Sequence, residues 1–257
     1  MGKNIRIWKK QAKCALKGNY GLAVLALILT NLVAILGSNL ALILFPGDTT
    51  LDYILSFVFQ FVISLIAGVF SAGLSYLYLN ISRGKKASFV DLVYFFKHNP
   101  DHVIVAGFVL GVLNLVANIP YYYVSWKTPV GDTLEGQMFY LQQIAVFSLL
   151  SMVIYFLITL PFTQVYYLLA DQPEMGGMES IKTSLHLMKG KKFSFLWMRL
   201  TFVPMMFLCL IFTLGIGFFW LVPYMEMTAV YFYRDLIEDF TEPKLPEYSE
   251  QEGENLV

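Results

Sequence analysis

The chain has 257 residues, a formal net charge of zero, 57% hydrophobic residues and only 14% charged ones. A soluble domain carries about 25% charged and 45–50% apolar residues. An apolar excess gathered into membrane-length blocks excludes a soluble globular domain and points to lipid as the solvent.

The chain opens on a basic stretch, "IRIWKKQAKCALK" to Lys17, followed by an apolar run over 20–45. That run has no small-residue cleavage site, so it reads as a retained span rather than a removed signal. Arg6 stands where N-myristoylation needs Ser or Thr. After the loop "FPGDTTLD" a second span is expected over 52–80, ending in "GLSYLYLNISR". A third follows over 102–124, and beyond "SWKTPVGDTLEGQ" a fourth over 139–169, ending in "PFTQVYYLLAD". The last apolar block is cut by "LGIGF" into spans over 193–214 and 216–234, because one helix of that length would overshoot the bilayer. Cys14 and Cys209 lie in unlike surroundings and read as two reduced thiols. The tail 241–257 is acidic, holds two prolines and reads as disordered.

Lysine and arginine placement sets orientation. Of the 18, sixteen precede the first span, fall between spans two and three or four and five, or follow span six. Lys127 alone lies on the other side, and Arg199 lies inside a span. Both termini are therefore expected in the cytoplasm of a multi-pass protein of the cell membrane.

The segments before Lys17, Lys97 and Lys189 repeat. Counting back from each lysine, apolar residues recur at Leu16, Ala12, Trp8 and Ile5; at Phe96, Leu92 and Phe89; and at Met188, Leu185, Ile181 and Met178. Each set predicts one face of a helix. Ser88 and Asp91 have the spacing of a capping box. Each repeat then reads as an amphipathic helix in the interface followed by a two-span hairpin, over approximately 3–82, 87–171 and 177–239. The expected fold is all-α, a single membrane domain over 1–240, with pseudo-symmetry about the membrane normal. Lys17, Lys97, Lys189, Lys191 and Lys192 would meet anionic headgroups, at about 1 kcal/mol each. A separate cytosolic domain for these helices to pack on has no counterpart in the chain.

"SLHLMKGKK", followed by "LGIGFFWLVPYMEMTAVYFYRDL", resembles the C-terminal signature of domain-of-unknown-function family 975. The resemblance implies a six-span protein of Gram-positive-type bacteria, with a distant similarity to the membrane module attached to some glycerophosphodiester phosphodiesterases. It brings no catalytic residues and no activity.

Charges inside spans are functional candidates, since each costs roughly 2.5–3.5 kcal/mol at mid-bilayer on insertion scales. Arg199 and Glu226 lie about 10–12 Å in from Lys192 and Arg234. Gln164 follows Pro161 by three, as Glu226 follows Pro223. A polar ring of Gln164, Arg199 and Glu226 at one depth is the expectation. It serves either as a lock between helices or as the wall of a cavity open to the cytoplasm. Asn31, Asn114 and Asn118, and the small-residue face of "GFVLG", read as helix–helix contacts.

The enzyme case is weak. His98, His102 and His186 have no metal-ligand spacing, and "GVFSAG" around Ser71 resembles a nucleophile motif only loosely. No catalytic residue, metal or cofactor is expected, and no nucleic acid. The leading function is a non-enzymatic protein that binds, moves or organises lipids or small amphiphiles. A scaffold that recruits a partner enzyme through the tail is the second, and a membrane-embedded lipid enzyme the third.

Overall fold

A computed structural model of the chain describes residues 2–46, 49–128, 131 and 133–241. Among them every regular element is helical. Helix α1, Gly2–Leu16, buries Ile5, Trp8, Ala12 and Leu16 and leaves Lys10 and Lys13 exposed. The four buried residues are spaced by three or four, so they share a side. That side lies along α12, Phe218–Thr241, where Trp8 meets Phe232 edge-on at 5.2 Å. The stripe is therefore covered by the chain's own last helix, and only the lysine side is left open.

Gly18, at φ +88°, turns the chain into α2, Tyr20–Leu44, which pairs with α3, Thr50–Ser82. At the far end, Thr49 Oγ1 accepts from the Asp52 N–H while the Asp52 carboxylate accepts from the Thr49 N–H. This reciprocal box fixes where α3 starts.

The segment before Lys97 differs from the expected helix. A 3₁₀ turn, Phe89–Val93, runs into one turn of α4, Tyr94–Lys97. Leu92 and Phe95 are buried, whereas Phe89 and Phe96 are exposed. The winding changes from 3₁₀ to α at Tyr94, so the predicted 89–92–96 set does not stay on one face and only Leu92 of it turns inward. The Asp91 carboxylate accepts from the Ser88 N–H as expected. Gly73 on α3 makes room for this turn, because a Cβ there would stand 2.0 Å from Leu92 O.

Asn99, at φ +49°, leads into α5, Pro100–Ala117. The expected third span, 102–124, breaks at Asn118 and continues as α6, Ile119–Lys127, because Pro120 has no N–H to keep the ladder going. The fourth crossing is α7, Leu134–Thr159, a 3₁₀ turn at Leu160–Phe162 that contains Pro161, and α8, Val165–Asp171.

The segment before Lys189 forms α9, Gly177–Leu187. Met188 and Ile181 are buried, but Leu185 and Met178 are exposed, and Gly177, Ser180 and Ser184 take the inner face instead. Closeness decides this rather than apolarity. A Cβ at Gly177 would lie 2.1 Å from His102 O on α5, and Ser184 Oγ donates to Pro161 O at 2.8 Å. Gly190, at φ +76°, leads to α10, Lys192–Leu200, and then α11, Val203–Thr213, which starts with Pro204 in its first turn. Leu214 and Gly215, both at positive φ, turn the chain into α12.

Five helical segments are long and apolar enough to cross a membrane: Tyr20–Ala41, Thr50–Ser82, Pro100–Ala117, Leu134–Asp171 and Lys192–Thr213. Helix α12 is not among them, since Glu226, Arg234, Asp235 and Glu238 break its apolar run.

Burial is uneven along the helices. Every buried residue of α3 lies between Gly68 and Ser82, α7 buries only Ser151, and α11 buries none. The core therefore sits at the end where α1, α4 and α9 lie, called here the basic end. Of the expected tail, all but Thr241 lies outside the described residues.

Candidate functional site

Glu226 on α12 and Arg199 on α10 form an ion pair, Nη1 to Oε1 at 3.0 Å. The other carboxylate oxygen accepts from Tyr167 Oη of α8 at 3.2 Å, and the guanidinium lies 5.2 Å from the Phe195 ring. One carboxylate thus ties together three helices. Gln164 is fully buried but does not join this pair. Its Nε2 donates to Thr163 Oγ1 at 2.9 Å and reaches Met188 Sδ at 3.6 Å, while its Oε1 has no partner. The expected ring is therefore corrected at one member: Tyr167, three residues on, supplies the α8 contact. Gln164 sits at the break before α8, where its side chain turns towards α9.

A second polar cluster closes the basic end. Arg83 pairs with Asp171, whose other oxygen accepts from Tyr233 Oη at 3.0 Å. Arg234 Nη1 donates to Ser82 O at 2.7 Å, and Tyr231 Oη reaches the same carbonyl at 3.4 Å. Sequence reasoning did not single out this cluster, although the signal was there. Arg83, Asp171 and Tyr233 each stand ten residues after the Gly73, Pro161 and Pro223 that open the three aligned span ends.

Lys17, Lys97, Lys189, Lys191 and Lys192 are all exposed at this end. Lys9 is half-buried. It donates to Thr201 O at 3.3 Å and lies 4.0 Å from the centre of the Phe202 ring. Burial pulls its ammonium below the ordinary lysine value.

A cavity of ≈ 330 Å³ opens in the loosely packed half, between α2, α3, α5, α6 and α7, with Tyr166 of α8 at its inner end. Its lining includes Ser38, Gln60, Ser64, Asn114, Tyr122 and Tyr155 but no charged residue. Gly68 and Gly107 make the notch that holds the Tyr166 hydroxyl, which would lie 3.0 and 3.8 Å from a Cβ at those positions. A cleft of ≈ 420 Å³ lies between α1 and α12, lined by Trp8, Gln11, Arg234 and Glu238 among others. Neither space is lined by Arg199 or Glu226. Neither therefore matches the cavity expected at the depth of that pair: one lies in the loosely packed half, and the other is a cleft at the basic end.

The residues weighed for catalysis are engaged elsewhere. Ser71 Oγ donates to Ala67 O of its own helix at 2.8 Å. His98 stacks on Tyr94 with ring centres 4.3 Å apart, and His102 Nδ1 lies 3.3 Å from Pro173 O. Among the described residues no group of His, Cys, Asp and Glu side chains could hold a metal ion. The two cysteines are free thiols.

Residues 1–239 match the family described as Protein of unknown function (DUF975), and the chain belongs to that family. No curated protein and no solved structure matches it. The more distant similarity to the membrane module of glycerophosphodiester phosphodiesterases has no match behind it.

Proposed function

We propose that this family member is a six-span protein of the cytoplasmic membrane, without catalytic turnover, that holds a small amphiphile or the polar part of a lipid within the bilayer. The function rests on one observation, the uncharged polar cavity between the first two hairpins. Polar side chains at membrane depth are costly unless they face protein or a polar space. Ligand sites are spaces of about this size, with a few convergent polar groups on mostly apolar walls.

The six-span, three-repeat architecture draws its support from the basic end. Arg83, Asp171 and Tyr233 meet there from equivalent positions, which fits three parallel copies around one axis. Buried residues agree as well: Leu16 and Met188, Ala12 and Ser184, Trp8 and Ser180, and Ile5 and Gly177 stand 1, 5, 9 and 12 residues before Lys17 and Lys189. Gly18, Asn99 and Gly190 supply a left-handed residue one or two positions after Lys17, Lys97 and Lys189. With α12 crossing, both termini fall on the lysine-rich side, which is the cytoplasm.

The test is the lipid that co-purifies. Mass spectrometry of extracts should find an amphiphile enriched over the bulk membrane on the wild-type protein. A Gln60→Leu/Asn114→Leu variant, similar in volume but apolar, should lose it. A profile equal to the bulk membrane in both would refute the reading. The scaffold alternative keeps one supporting observation, that α11 buries no residue and offers Phe207, Ile211 and Phe212 outward.

A further inference from the structure

A third space of ≈ 360 Å³ runs between α1, α2, α11 and α12 and shares no lining residue with the hairpin cavity. Its mouth is at the basic end, where Lys9 and Lys13 of α1 stand beside Tyr20. Two lysines four residues apart project from the same face of a helix. Met205, Cys209 and Trp220 are among the walls that continue from this mouth along α11 and α12. Gly217 closes the far end, where a Cβ would stand 2.8 Å from Cys209 Sγ. From Tyr224 to Gly217 the lining runs seven residues, about 10 Å of helix.

The charge arrangement selects the occupant. Neither Lys9 nor Lys13 is ion-paired among the described residues. An ammonium has three donors, and the Thr201 carbonyl takes one of those of Lys9. Two cations at the surface end of an apolar slot match an anionic head on an apolar tail. A free anion would leave the slot empty, and a neutral lipid would leave the lysines unmatched. We propose that this groove binds one anionic glycerophospholipid of the cytoplasmic leaflet, with its phosphate at Lys9 and Lys13 and an acyl chain along α11 and α12. The inference rests on the proposed placement of α1 at the membrane surface. It is independent of the hairpin cavity.

The experiment uses the full chain in phosphatidylcholine vesicles. A trace of phosphatidylglycerol or phosphatidylcholine, each with a photoactivatable diazirine in the acyl chain, is added at equal mole fraction. Adducts are then mapped by peptide mass spectrometry. The phosphatidylglycerol probe should label 203–224 at least about fivefold more than its neutral counterpart, by analogy with roughly 1 kcal/mol for each lysine. Lys9→Gln/Lys13→Gln should bring labelling down to the neutral level, and Lys9→Arg/Lys13→Arg should keep the preference. Because Lys9 also contacts Thr201 and Phe202, Lys13→Gln alone provides a variant that spares those contacts, and it should lose part of the preference. Equal labelling by the two probes, or a preference unchanged in both glutamine variants, would overturn the assignment. Lipid that co-purifies through Gln60 and Asn114 would be untouched by that outcome, so the two readings fail separately.

Discussion

The two ends of the bundle are built on opposite plans. At the basic end, α1, α3, α8, α9 and α12 interlock through Leu77, Tyr78, Leu168, Met188 and Tyr233, all at most 1% exposed. Two carboxylates, Asp171 and Glu226, tie helices distant in the chain across that core. At the far end α7 and α11 hardly bury a residue, and Ile54, Met138 and Phe212 face outward. Lipid is as apolar as leucine, so helices there gain nothing from the hydrophobic effect by closing up. Cohesion must come from close backbone approach and from polar links. The molecule places its two carboxylate-centred links at one end and leaves the other open enough for a cavity.

Mutations should break this contrast in graded steps. Asp171→Ala strands the Arg83 guanidinium and the Tyr233 hydroxyl together, and should cost about 3 kcal/mol, read as a fall in thermal midpoint in detergent. Glu226→Ala should cost about 2 kcal/mol because it leaves Arg199 and Tyr167 without their acceptor. Adding Arg199→Ala to Glu226→Ala should then cost little more, and additive losses would refute the coupling. Phe212→Ala, at the far end, should change the midpoint by less than about 0.5 kcal/mol, since a lipid-facing position leaves no cavity behind.

Much of this plan was legible from residue order. Apolar blocks gave the long helices, and the apolar spacing before Lys17 gave the buried side of α1. Opposite charges at matching depths gave the Arg199–Glu226 contact. What escaped was set by proximity between helices. Gly177, Ser180 and Ser184 look like a polar face by composition, yet they lie inside because α9 presses on α5. Phe89 and Phe96 fit an α-helical stripe, but the segment changes from 3₁₀ to α winding at Tyr94, and both rings face outward. Gln164 shares its offset with Glu226, yet the break at Pro161 points it elsewhere. Periodicity assumes a regular helix, and each of these misses lies where the helix is not regular or is unusually close to another.

The central claim is that α12 crosses the membrane as the return arm of a third hairpin, despite its charges. Glu238 is exposed near its end. In a chain whose own cysteines are replaced by serine, a Glu238→Cys variant on intact cells should resist a membrane-impermeant maleimide until the membrane is opened, as Lys189→Cys should. Ile216→Cys, in the turn before α12, should react at once. Labelling of Glu238→Cys from outside would mean five crossings, and the threefold account would fall.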